Sequence, residues 1–132
     1  MSKIDKNKQI KRESLLETAF RLFTSKGIQK TSISDIVEAA GVAKGTFYLY
    51  FKDKYDIRNK LIAHKSSEVF KRADLALQTT DLTELEDRVV FLVDNIISQL
   101  VEDRTLLGFI SKNLSWGVFK NVLIEAGDDS EV

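Results

Sequence analysis

The chain has 132 residues, 43% of them hydrophobic, with six glycines, no proline and no cysteine. The missing prolines leave long helices uninterrupted, and the missing cysteines exclude disulfide frameworks, thiolate nucleophiles and cysteine zinc sites. The formal net charge is zero but divided: residues 1–60 carry 13 Lys+Arg against 7 Asp+Glu (+6), and residues 61–132 carry 7 against 13 (−6).

That division gives a basic end suited to a polyanion and an acidic end that is not; chance clustering on solvated faces is the bland alternative. Residues 1–13 are charged and lack an apolar signal core. The longest purely apolar run, Val89 to Val93, is far short of a membrane span. A soluble, cytoplasmic chain without a membrane partner is the expectation, and it calls for no cofactor.

Taken in order, residues 1–8 read as a polar, basic arm. The first helix is expected from Gln9 to Ser25, with Leu16, Ala19, Phe20 and Phe23 on one face of a 3.6-residue period. Gly27 is placed to stop it. Ser32 and Asp35 have the spacing of a capping box and open a second helix that ends at Gly41, with Ile33, Ile36, Val37 and Ala40 buried. After the turn Gly41-Val42-Ala43, a third helix runs from Lys44 to about Phe51. Asp53 caps a fourth, with Asp56 in its first turn, reaching about Leu77 and turning Ile57, Leu61, Val69, Ala73 and Leu77 inward. A polar break over residues 78–82 precedes a fifth helix, Thr83 to Val101, with Leu85, Val89, Leu92, Ile96 and Leu100 as its inner positions. A last helical stretch from Arg104 to about Ala126 contains Gly108 and Gly117, where it is expected to bend or break. Residues 127–132 form an acidic end. The fold class is all-α.

A short helix, a glycine-containing turn and a second short helix make a helix-turn-helix, whose second helix fits the major groove. Phe47 and Phe51 stand four residues apart and belong to the core with Phe20 and Phe23. The opposite surface then shows Gly45, Thr46, Tyr48 and Leu49, with Tyr50 on the flank. Leu49 suits a thymine methyl, and Thr46 a base edge or phosphate. Gly45 lets the backbone come close. The Tyr48 and Tyr50 hydroxyls suit phosphate oxygens. Lys44 stands at the helix start, and Lys52 and Lys54 at its exit. Thr31 and Ser32 offer phosphate contacts at the start of the second helix. A bland reading makes Phe47, Tyr48, Tyr50 and Phe51 all core, but so short a helix cannot bury every face.

The stretch TSISDIVEAAGVAKGTFYLYFKDK, residues 31–54, together with the segment from Leu15 to Gly27, resembles the signature of the TetR family of bacterial repressors. The match spans about residues 10–62. The resemblance implies residues 1–52 as a three-helix DNA-binding domain and 53–132 as a helical regulatory, ligand-binding and dimerisation domain. It implies a homodimer on a palindromic double-stranded operator and a small-molecule effector that releases the DNA. Among the contacts it carries over are Thr31, Ser32, Lys44, Thr46, Tyr48, Tyr50 and Lys54. Two departures stand out. Ala43 replaces the serine that often caps the third helix, and the chain stops before the helices that hold the family's dimer interface, as a truncated or short form would.

Beyond residue 62 no motif specifies a ligand. Phe70, Phe91, Phe109, Asn113 and Trp116 are candidates for an effector pocket between helices; as single residues, aromatics are more often plain core. His64 has no convincing co-ligands for a metal. Carboxylate pairs such as Glu84 and Asp87 are ordinary on helix faces, so catalysis is unsupported. Two other readings stay open: a DNA-binding regulator controlled by a protein partner, and a helical interaction module that binds no DNA.

Overall fold

The computed structural model describes residues 2–113, Lys120 and Ile124, and all regular elements among these are helical. The chain divides into two compact units between Leu61 and Ile62.

In the first unit α1 spans Lys3–Lys26, α2 Ile33–Ala40 and α3 Lys44–Tyr50, and α4 (Lys54–Gln78) begins. α1 starts six residues earlier than the expected Gln9. Ser2 is the reason: its hydroxyl oxygen accepts from the Asp5 N–H at 3.1 Å and its proton goes to the Asp5 carboxylate at 2.8 Å. That cap, with Asp5 in the first turn and no helix breaker following, turns the expected arm into helix. Gly27 ends α1 at φ 85°, its N–H on the Phe23 carbonyl. Ser32 and Asp35 form the full capping box of α2, and Gly41 closes it in the left-handed region at φ 71°. The N-cap of α3 is Ala43, whose side chain makes no capping bond.

α4 is capped by Asp53, whose Oδ1 accepts from the Tyr55 and Asp56 N–H groups at 3.0 and 2.8 Å. Asp56 returns the bond, accepting from the Lys52 N–H at 2.8 Å. Around these ends Leu15, Leu16, Ala19, Ile36, Phe47, Phe51, Ile57 and Leu61 form the core, with Phe23 and Val37 at its edge. Each fully buried leucine, isoleucine or phenylalanine among them contributes about 1.5–3 kcal/mol. Phe20 is only half-buried, and Leu15 and Thr18 take more of the inner face than the spacing suggested.

In the second unit the remainder of α4 buries Ile62, Val69, Ala73 and Leu77 along one stripe. α5 is Leu85–Glu102 and α6 is Arg104–Asn113, and the two pack together. α6 buries Leu106 and Phe109, and Gly108 lies inside it. The Gln99 amide donates to the Val69 carbonyl at 3.0 Å and to Asn95 at 2.8 Å, tying α5 to α4. The inner face expected of α5 is not buried. Leu85 is 75% exposed, Val89 is also exposed, and Leu92, Ile96 and Leu100 are half-buried. Periodicity marks an apolar face but does not say what covers it, and among the described residues nothing seals this one. Of the helix expected beyond Asn113 only Lys120 and Ile124 are described, both helical; Trp116, Gly117 and the acidic end lie outside the described residues. Among the described residues no helix is long and apolar enough to cross a membrane.

Candidate nucleic-acid interface

The capping box fixes where α2 begins, Gly41 fixes where it ends, and Val42 donates back to the Val37 carbonyl at 3.0 Å. This tight corner delivers α3 with Phe47 aimed inward. The Phe47 and Phe51 rings meet at a tilt of 50° with centroids 5.5 Å apart, and the Arg12 and Lys60 cations lie 5.8 and 5.4 Å from the Phe51 ring. Phe51 therefore serves both as core and as a cation–π platform. With that face fixed, the 100° step puts the other residues outside.

The outer face holds Lys44, Gly45, Tyr48 and Leu49, all exposed, with Thr46 and Tyr50 half-buried at its borders. Leu49 is 74% and Tyr48 53% exposed. An apolar side chain and an aromatic ring held out on a rigid helix are poorly placed for water and well placed for a base methyl and a phosphate. The Tyr48 ring meets Phe47 edge-on at 5.4 Å, which limits its motion. Lys44 reaches Ser34 at 3.4 Å, bringing its charge across the corner between α2 and α3. Lys52 is exposed beyond the end of α3.

Three expected residues differ in use. Thr31 is 1% exposed, and its hydroxyl donates to the Gly27 carbonyl at 2.7 Å. It is a buried turn residue, not a surface contact, because that carbonyl at the end of α1 needs a donor. Ser32 is exposed, with its oxygen engaged by the Asp35 N–H at 3.0 Å. Lys54 is half-buried, and its ammonium donates to the Ile28 carbonyl at 2.8 Å and the Thr31 carbonyl at 3.2 Å. The sequence held one signal of this: a lysine in the first turn opposes the helix dipole and needs acceptors elsewhere.

Asp35 carries a depressed pKa, about 2 against an ordinary 3.8, from the Ser32 N–H, then the Lys26 ammonium, then the Ser32 hydroxyl. Lys26 sits 3.0 Å away, so a negative charge near the basic face is compensated locally.

The expected effector residues differ in exposure. Phe70 is exposed, Phe91 half-buried and Phe109 buried, and Asn113 spends its amide on the Phe109 carbonyl at 2.9 Å. Trp116 is outside the described residues. Among the described residues, an open groove of about 400 Å³ in the second unit is lined by Val101, Arg104, Leu107, Gly108 and Ser111. Aromatic side chains follow packing, which composition alone does not locate. Among the described residues no group of acidic or histidine side chains is arranged for a metal, and His64 pairs with Glu68 at 2.9 Å on the same helix.

Residues 15–61 match the sequence family described as bacterial regulatory proteins, tetR family. The transcriptional regulator AcrR of Shigella flexneri is 42% identical over 50 residues, 38% of this chain and 23% of that protein. The helix-turn-helix-type transcriptional regulator YdgC of Bacillus subtilis is 33% identical over 102 residues, 74% of this chain and 52% of its own length. The chain thus spans at most about half of these relatives. A solved TetR-family regulator from Marinobacter aquaeolei superposes with a TM-score of 0.73 at 19% identity, over 94% of this chain and 66% of its own, a likeness of fold.

Proposed function

Because the chain belongs to the TetR family of bacterial regulatory proteins, we propose that it is a sequence-specific DNA-binding transcriptional regulator that reads the major groove with α3. The observation that carries this reading is the division of α3 itself. Phe47 is sealed in the core while Tyr48 and Leu49 stand out with lysines on either side. Base edges are met by Gly45, Thr46 and Leu49, and phosphates by Ser32, Lys44, Tyr48, Tyr50 and Lys52. Backbone contacts position the helix, and base contacts select the sequence.

The wider reading follows the family. Two copies of the chain place their third helices in successive major grooves, roughly 34 Å apart, on a palindromic site. Residues 1–52 bind DNA. Residues 53–132 form the regulatory part, where a small effector favours a state in which the two heads no longer match the groove spacing, so that the protein acts as a repressor in the cytoplasm. The test is selection of bound duplexes from a random pool, followed by a screen of metabolites for release of the selected duplex. A palindromic consensus supports the reading. Recovery of no preferred sequence at moderate salt removes it.

A further inference from the structure

We propose that the N-terminal half of α1 carries a second contact surface for duplex DNA, on which Lys8 and Lys11 hold the sugar-phosphate backbone beside the groove read by α3. The proposal rests on the DNA-binding reading and extends it to residues outside the helix-turn-helix. Every residue from Ser2 to Lys11 is exposed, and the first buried side chain of α1 is Leu15. This stretch adds nothing to the core, yet it is regular helix joined without a break to the packed part of α1. Between Lys3 and Arg12 stand four lysines, one arginine and a single acid, Asp5. Asp5 is engaged in the Ser2 cap. Among the described residues Lys8 and Lys11 form no ion pair. They stand three residues apart on a helix, a like-charge pair that repels itself in the free protein. A phosphate backbone turns that cost into attraction.

The packed part of α1 fixes which way the two lysines face. The Arg12 guanidinium lies 5.8 Å from the Phe51 ring, at the end of α3. Lys60 lies 5.4 Å from the same ring and donates to the Tyr50 carbonyl at 3.3 Å. Lys8 precedes Arg12 by one turn and shares its side of α1, and Lys11 borders that side. Lys8 therefore stands about 6 Å along the helix from the exit of α3. With Arg12 it extends the positive edge begun there by Lys52 and Lys60. Lys3 and Lys6 have the same spacing as Lys8 and Lys11, but the 100° step turns them away from the Arg12 side, so they supply an internal comparison. Ile4 and Ile10 are 67% and 64% exposed on the same stretch. They lie about 120° apart around the helix, so they do not join into the apolar face that a helix on an anionic membrane needs. Duplex DNA is the polyanion this surface fits.

Three double variants test it: Lys8→Gln with Lys11→Gln, Lys3→Gln with Lys6→Gln, and Lys8→Arg with Lys11→Arg. Each is compared with the parent in melting temperature, in the sequence selected from a random duplex pool, and in the slope of log affinity against log salt on the selected and on a mixed-sequence duplex. Binding to phosphatidylserine vesicles is measured alongside. Lys8→Gln with Lys11→Gln is expected to flatten the slope by about two on both duplexes. The melting temperature and the selected sequence stay the same, because these side chains touch neither the core nor the bases. The arginine pair keeps the parent slope, and the Lys3 and Lys6 pair flattens it by less than one. An unchanged slope in Lys8→Gln with Lys11→Gln overturns the proposal, as does equal flattening by the two glutamine pairs. Vesicle binding that depends on Lys8 and Lys11 while the duplex slope does not also overturns it and assigns the surface to a membrane. If the parent selects no preferred sequence, the reading of α3 falls, and the slopes on the mixed-sequence duplex still decide the role of Lys8 and Lys11.

Discussion

Phe47 and Tyr48 are consecutive in α3 and their rings meet edge-on, 5.4 Å apart at 81°, yet Phe47 is fully buried and Tyr48 is 53% exposed. One residue of helix separates the core from the proposed DNA surface. The pair therefore gives opposite signatures. Phe47→Ala is expected to lower stability by about 3–5 kcal/mol, read as a drop in melting temperature. Tyr48→Ala is expected to keep the melting temperature and weaken binding to the selected duplex by about 1–3 kcal/mol. Equal duplex affinity for Tyr48→Ala and the parent would remove Tyr48 from the interface.

Asp35 makes the unit sensitive to acid. Its folded-state pKa is about 2 and its ordinary value 3.8, so the charged form is favoured by folding. Its contribution is complete above the ordinary value and is lost as pH falls through the folded one. Urea midpoints of the parent and Asp35→Ala should differ by a constant amount at neutral and mildly acid pH, then converge between about pH 4 and pH 2. A gap that persists at pH 2 would mean that the bond geometry matters and the charge does not.

Much of this was legible in the sequence, for a physical reason. Ser32 with Asp35, Gly41, and Asp53 with Asp56 are local signals, satisfied by backbone groups a few residues away, and the structure places all of them as expected. The spacing of Phe47 and Phe51 fixes the face of α3 in the same way. The failures are non-local or rest on a cap that was overlooked. The cap at Ser2 is as local as the others, but a run of charges at a chain end reads as an arm. Thr31 and Lys54 look like surface polar residues because their acceptors, backbone carbonyls of the turn after α1, leave no mark in side-chain pattern. On α5 the apolar face was legible, but whether anything covers it was not.

Thr31 offers a direct check of its reassignment. Thr31→Val preserves shape but leaves the Gly27 carbonyl without its hydroxyl donor. The expected cost is about 1–3 kcal/mol in chemical denaturation, with the salt slope of duplex binding unchanged. A variant as stable as the parent but with a flatter slope would return Thr31 to the phosphate contacts.

Ala43 is an uncapped N-cap. It holds extended backbone angles, φ −75° and ψ 152°, the conformation from which a serine oxygen reaches the N–H groups of the first turn. Ala43→Ser should therefore stabilise the protein by about 0.5–2 kcal/mol, seen as a higher melting temperature. No gain would show that another group already satisfies the first turn of α3.

Gly45 separates a requirement of the fold from a requirement of binding. It lies in α3 outside the positive-φ region, and a Cβ built there meets nothing within 4 Å. The free protein has no use for a glycine at this point, and in a helix glycine costs about 0.5–1 kcal/mol relative to alanine. Gly45→Ala should raise the melting temperature of the free protein. If the backbone at this position approaches the edge of the groove, the added methyl group occupies space that the DNA needs, and affinity for the selected duplex should fall while the protein becomes more stable. Stability and binding moving in opposite directions is a result that a purely structural glycine cannot give. A stabilised variant with undiminished affinity would show that the DNA does not come close at residue 45 and would shift the contact surface toward Tyr48 and Leu49.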